Sequence, residues 1–96
     1  SQARALERLT IDTPLERRPT VIADLQQRPG GVALRFEGKE IRLPAQAADA
    51  VAAIHAAQAP LTAAELPGRL DAAGRLVLVR RLVREGFLLA PDTRPC

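Results

Sequence analysis

Arg75, Arg80, Arg81 and Arg84 cluster near the C-terminal end of a 96-residue chain and are its densest group of chemistry-bearing side chains. A guanidinium offers paired N–H donors to carboxylates and phosphates. These four, together with Arg35 and Arg42 upstream, are therefore the candidate partner-contacting residues. Catalysis has far less to work with. His55 is the only histidine, and it follows Ile54 at the edge of an apolar helix face, where a partly buried structural role outweighs general-base chemistry. The sole serine, Ser1, excludes a Ser-His-Asp triad, and Cys96 is a lone thiol at the last position with only Arg94 near it. The carboxylates are scattered, and Gly30-Gly31 is a turn with no G-x-x-x-x-G-K phosphate loop around it. One histidine and one cysteine supply no metal-ligand set, so neither metal nor cofactor is expected in this chain. On its residues alone the chain is not an enzyme.

Composition narrows the partners. Fourteen basic residues face eleven acidic ones, a formal charge of +3, and every basic residue except Lys39 is an arginine. That surplus suits an acidic peptide or nucleic acid, but it is well short of a dedicated nucleic-acid surface. Two phenylalanines, with no Tyr or Trp, leave no stacking platform for single-stranded nucleic acid. Hydrophobic residues make up 47% of the chain and charged ones 26%, the balance of one small globular domain. No apolar run approaches the roughly 20 residues of a membrane span and no signal peptide heads the chain, so no membrane partner is expected and a cytoplasmic location is.

The elements that must position the arginines follow from periodicity. Residues 1–10 read as a short helix, and 12–19 as a linker, because Pro14 and Pro19 forbid regular helix between them. Residues 20–25 are β-prone, and 28–31 form a turn. Val32, Leu34 and Phe36 alternate with Ala33, Arg35 and Glu37; after a turn at Gly38-Lys39, Ile41 and Leu43 alternate in the same sense, predicting a hairpin with all five apolar side chains on one face. Pro44 suits a helix start, and Ala47, Val51 and Ile54 form an apolar stripe over 45–58. Thr62 and Glu65 make a capping box, with Leu61 and Leu66 as a staple, before Pro67-Gly68 ends that short helix. The last helix spans 71–85, with Asp71 as N-cap and Gly86 as stop. Leu76, Leu78, Val79, Leu82 and Val83 share one arc of it; Arg80, Arg81 and Arg84 share the opposite arc. Residues 87–90 form a closing strand, and 91–96 a loose tail.

This order predicts an α+β, winged-helix-like domain over 20–90: a small antiparallel sheet, made of the hairpin plus the closing strand, packed on three helices, with an extra N-terminal helix and linker at 1–19. Winged helices often lay their last helix in a major groove, and the arginines there suit phosphates and guanine edges. Against DNA reading, the outward arc carries no Asn, Gln, Ser or Thr, and Pro91 cuts off a second wing strand. An exposed edge of the sheet, at 20–25 or on the hairpin, can instead take up an extended peptide as a further strand.

Asp12-Thr13-Pro14-Leu15, Arg17-Arg18-Pro19, Leu43-Pro44, Leu66-Pro67-Gly68 and the run from Arg75 through Glu85-Gly86-Phe87-Leu88 occur in an order that resembles the C-terminal region of bacterial cupin-like JmjC proteins, relatives of the ribosomal oxygenases. The resemblance spans about residues 12–89. It implies a preceding catalytic barrel that binds iron and 2-oxoglutarate through a His-x-Asp/Glu…His set, a helical dimerisation region, and a terminal winged helix that packs on the barrel or helps position a protein substrate. No catalytic residue of that family maps onto this chain, since one histidine cannot supply two ligands. The resemblance thus implies an accessory end, with the iron and 2-oxoglutarate held elsewhere. A hairpin followed by three helices, the middle one short, is also similar to PqqD-like domains, which bind leader peptides by adding a strand to the sheet. The strand at Phe87 and the break at Leu66-Pro67-Gly68 fit that pattern less well. A protein or peptide is the expected partner, and nucleic acid the less favoured one.

Overall fold

The computed structural model describes residue 6 and residues 8–90. Five strands are present: β1 (Glu16–Arg17), β2 (Ala23–Arg28), β3 (Gly31–Phe36), β4 (Lys39–Pro44) and β5 (Leu88–Leu89). Between β4 and β5 lie helices α1 (Ala48–Ala56) and α2 (Ala72–Arg84), each preceded by a one-turn 3-10 helix, Ala45–Ala47 and Ala63–Glu65. The fold is α+β and winged-helix-like, as the periodicity predicts.

The hairpin forms because its turn chemistry is local. Glu37 (φ 50°) and Gly38 (φ 77°) are both left-handed, which is the two-residue turn whose twist suits antiparallel strands. It pairs Phe36 with Lys39, Leu34 with Ile41 and Val32 with Leu43, one residue earlier than the expected turn at Gly38-Lys39. All five alternating apolar side chains are buried on one face. Pro29 and Gly30 (φ 79°) make the other turn, so β2 pairs with β3 along its whole length, from Arg28–Gly31 to Ala23–Phe36. This strand begins three residues later than the β-prone stretch at 20–25. Ile22 is left outside it and 92% exposed.

Three expectations are corrected. The closing strand does not join the hairpin: the sheet order is β2-β3-β4, with β2 at one edge and β4 at the other. Instead β5 pairs antiparallel with β1, Glu16 opposite Leu89 and Arg17 opposite Leu88. Residues 12–19 are accordingly no linker. Pro14 and Pro19 limit the strand to two residues, yet Leu15 is fully buried and exchanges backbone bonds with Leu61 at 2.7 and 2.8 Å. Nor, among the described residues, are there three α-helices after the hairpin. The middle one is a single 3-10 turn, where the Glu65 carboxylate accepts from both the N–H and the hydroxyl of Thr62 before Leu66-Pro67 ends it. The N-terminal helix expected over 1–10 lies largely outside the described residues, although Leu9 is buried and Leu6 packs against the core. The tail at 91–96, with Cys96, also lies outside them.

Helix α2 follows its sequence signals. Asp71 accepts from the Gly74 N–H at 2.7 Å as its N-cap, and Gly86 (φ 88°) turns the chain out of the helix. Leu78, Val79, Leu82 and Val83 are buried, while Leu76 is half-buried. In α1 and the turn before it, Ala47, Ala50, Val51 and Ile54 are buried.

Leu82→Ala, at a fully buried site, is expected to cost about 2–5 kcal/mol in a denaturant-unfolding measurement. Gly31→Ala is expected to destabilise as well, because an added Cβ would lie 2.0 Å from the Leu43 carbonyl oxygen.

Candidate functional site

The six candidate arginines do not form one site. The α2 group divides by burial. Arg75 is half-buried and donates to the Ala64 carbonyl at 3.1 Å, tying α2 to the 3-10 turn in front of it. Arg80 is also half-buried, and its Nε is enclosed without a hydrogen-bond partner among the described residues. Arg81 and Arg84 are exposed, and Val77, one turn before Arg81, is 65% exposed. Positions i, i+4 and i+7 share a helix face, so the outward stripe is Val77, Arg81 and Arg84. Arg81 Nε lies 4.0 Å from Glu85 Oε2. Lys39 Nζ donates to the Glu85 backbone carbonyl at 2.7 Å, placing a cation at the negative end of α2.

Arg35 and Arg42 belong to a different surface. Cross-strand partners share a face. The rows Asp24–Arg35–Glu40, Gln26–Ala33–Arg42 and Arg28–Gly31–Pro44 therefore lie on the side of the sheet opposite Leu34 and Phe36. Three guanidiniums converge there on one carboxylate: Arg42 Nε at 2.8 Å from Glu40 Oε2, with Arg28 Nη2 at 3.3 Å and Arg35 Nε at 3.8 Å from Oε1. The Arg42 hydrogen bond, opposed by partial desolvation and reinforced by Arg28, holds the Glu40 carboxyl below its ordinary range. Two shallow grooves flank this cluster. One, of about 450 Å³, is lined by Asp24, Arg35 and Lys39 among others; the second, of about 500 Å³, includes Arg28, Arg42 and Pro44.

Sequence reasoning missed Arg28 and Glu40. Glu40 was legible in principle, since a turn at Glu37-Gly38 sets it directly opposite Arg35. Arg28 depended on the true end of β2, which runs on to Arg28 where the sequence places a turn. It also missed Arg17, which is structural: the guanidinium donates to the His55 carbonyl and, at 3.2 Å, to the Val21 carbonyl, while lying 5.1 Å from the Phe87 ring centroid. His55 itself donates from Nε2 to the Ala23 carbonyl at 3.1 Å, a bond between α1 and β2. No helix among the described residues is long and apolar enough to cross a membrane, and among them no group of three or more His, Cys, Asp or Glu is placed to hold a metal ion.

No family model matches the chain, and no curated protein matches it in sequence.

Glu40 provides a test of the cluster. Its depressed pKa means that the ion pairs add stability above the ordinary carboxylate range, and that this contribution fades as pH falls through the lowered value. In an NMR titration, Arg42→Ala is expected to move the Glu40 carboxyl back up. An unmoved titration would mean that Arg42 does not hold it. Arg17→Ala is expected to cost about 2 kcal/mol in unfolding free energy, from two lost charged hydrogen bonds that are partly exposed.

Proposed function

We propose that this chain is a non-catalytic, protein- or peptide-contacting winged-helix-like domain, the C-terminal accessory part of a JmjC/cupin-type oxygenase-like protein working in the bacterial cytoplasm. The observation that carries the protein-contacting reading is the outward stripe of α2. There a large apolar side chain, Val77, stands 65% exposed among Arg81 and Arg84. An exposed apolar side chain next to arginines is a composition found at protein interfaces. The resemblance over residues 12–89 supplies the oxygenase context. The iron and 2-oxoglutarate of such a protein belong to its barrel and to no residue of this chain.

Duplex DNA is the weaker partner. Arg75 is spent on Ala64, Arg80 is half-buried, and the exposed stripe offers one apolar residue and no side chain suited to reading adenine or thymine. A leader-peptide reading has one specific observation in its favour. The bond from the Ala45 N–H to the Gly30 carbonyl continues the Val32–Leu43 pairing, so even-numbered residues of β3 face β4 and odd-numbered ones face β2. The main-chain groups of Leu25 and Gln27 then point off the free side of β2, while that of Ala23 is taken by His55.

The coding sequence upstream of Ser1 tests the oxygenase context. An in-frame His-x-Asp/Glu with a later His is expected, and a start codon beside Ser1 would overturn it. For the choice of partner, duplex binding is measured between about 50 and 200 mM salt. A response with little slope is expected. A loss of about three to five decades, abolished by Arg81→Glu with Arg84→Glu, would replace this reading with DNA binding.

A further inference from the structure

We propose that the outer face of the three-stranded sheet, where Arg28, Arg35 and Arg42 converge on Glu40, is a docking site for an extended acidic segment of a protein partner, with Glu40 standing in for the partner's carboxylate. The proposal rests on the protein-contacting reading and assigns a second surface to it, carried by the sheet and not by α2.

The chemistry is visible within the chain itself. Three guanidiniums from three adjacent strands are already arranged around a carboxylate, at 2.8, 3.3 and 3.8 Å. One carboxylate cannot neutralise three cations. The other acid on this face, Asp24, accepts from Gln26 Nε2 at 2.6 Å. The site is open to a ligand: the Arg42 side chain is 79% exposed and that of Arg35 51%. Beneath the arginines the β3 positions are small, Gly31 and a fully buried Ala33, so the ligand-facing surface is formed by the guanidiniums themselves. An incoming carboxylate therefore exchanges one ion pair for another, and the guanidiniums need little rearrangement to receive it.

Spacing selects the shape of the segment. Arg28, Arg42 and Arg35 stand in three successive cross-strand rows, each two residues from the next. Rows two residues apart are separated by about 6.8 Å, which is also the separation of alternate side chains in an extended chain. Because the three arginines stand on different strands and their guanidiniums gather at Glu40, an extended segment laid along these rows presents one carboxylate to the cluster, with its alternate acidic side chains following the row spacing to either side. Nucleic acid fits less well, since no aromatic side chain lies in these three rows to stack a base, and a flat sheet face does not enter a major groove.

The test uses the full 96-residue chain and a fluorescent nine-residue peptide alternating Glu with Thr, measured by anisotropy at low salt. Arg28→Gln, Arg35→Gln and Arg42→Gln together are expected to weaken binding about tenfold. Glu40→Gln removes the internal competitor and is expected to tighten binding several-fold more than Glu37→Gln, which makes the same charge change at the hairpin turn. Circular dichroism and melting curves check that each variant is folded. Equal effects of Glu40→Gln and Glu37→Gln would overturn the proposal, as would absence of binding or tighter binding of a single-stranded oligonucleotide to the same arginines. If binding is instead lost in Arg81→Glu with Arg84→Glu, the sheet site falls while the protein-contacting reading stands.

Discussion

Phe87 is the side chain against which the rest of the structure is assembled. It is fully buried, its ring centroid lies 5.0 Å from that of Phe36 in the hairpin, and the Arg17 guanidinium covers it at 5.1 Å. Its backbone is committed too, since its N–H reaches the Leu82 carbonyl and its carbonyl accepts from Arg18 at 2.9 Å. One residue thereby joins the sheet, helix α2 and the two-stranded β1-β5 pair. In a chain with only two aromatic residues, placing both in one contact concentrates much of the large-side-chain burial at a single point.

Arg17 makes that junction possible at the protein's edge. Its apolar stem and planar head cover the ring, while its N–H groups satisfy the His55 carbonyl at the end of α1 and the Val21 carbonyl before β2. The carbonyls at a helix C-terminus lack intrahelical donors and carry partial negative charge, so a cation there resolves two problems at once. Lys39 does the same at the end of α2 while lying 5.1 Å from the Phe36 ring centroid. Two of the molecule's cations are therefore consumed in closing the core, which is why a net charge of +3 does not translate into a continuous basic surface.

What basic surface remains is carried by two elements. The face of the sheet carrying Leu34 and Phe36 is buried in the core; the face carrying Arg28, Arg35 and Arg42 looks outward. Arg81 and Arg84 stand exposed on α2, and Arg81 approaches the rim of the sheet through Glu85, which pairs with Lys39 at 3.5 Å. The α2 set lies beside the exposed Val77, and the sheet set is almost wholly ionic.

Elements governed by neighbouring residues were legible in the sequence. The hairpin, the Asp71 cap, the Gly86 stop and the buried arc of α2 each depend on contacts within a few positions, so composition and period determined them. The polar capping at Thr62 and Glu65 was legible for the same reason, and the absence of local competitors fixed its brevity through Pro67. The pairing of β5 was not. Residues 88–89 carry no signal that distinguishes the hairpin from the segment at 16–17, and only the whole packing, with Leu15 buried and bridged to Leu61 beside β1, sets β5 against β1. The site divides the same way. Periodicity on one helix placed Arg80, Arg81 and Arg84 outward, and packing half-buries Arg80 while leaving the other two exposed; convergence of Arg28, Arg35 and Arg42 on Glu40 required the register of three strands. Local rules set which face a side chain takes; tertiary structure alone set which charges meet, because that depends on residues brought together from separate strands.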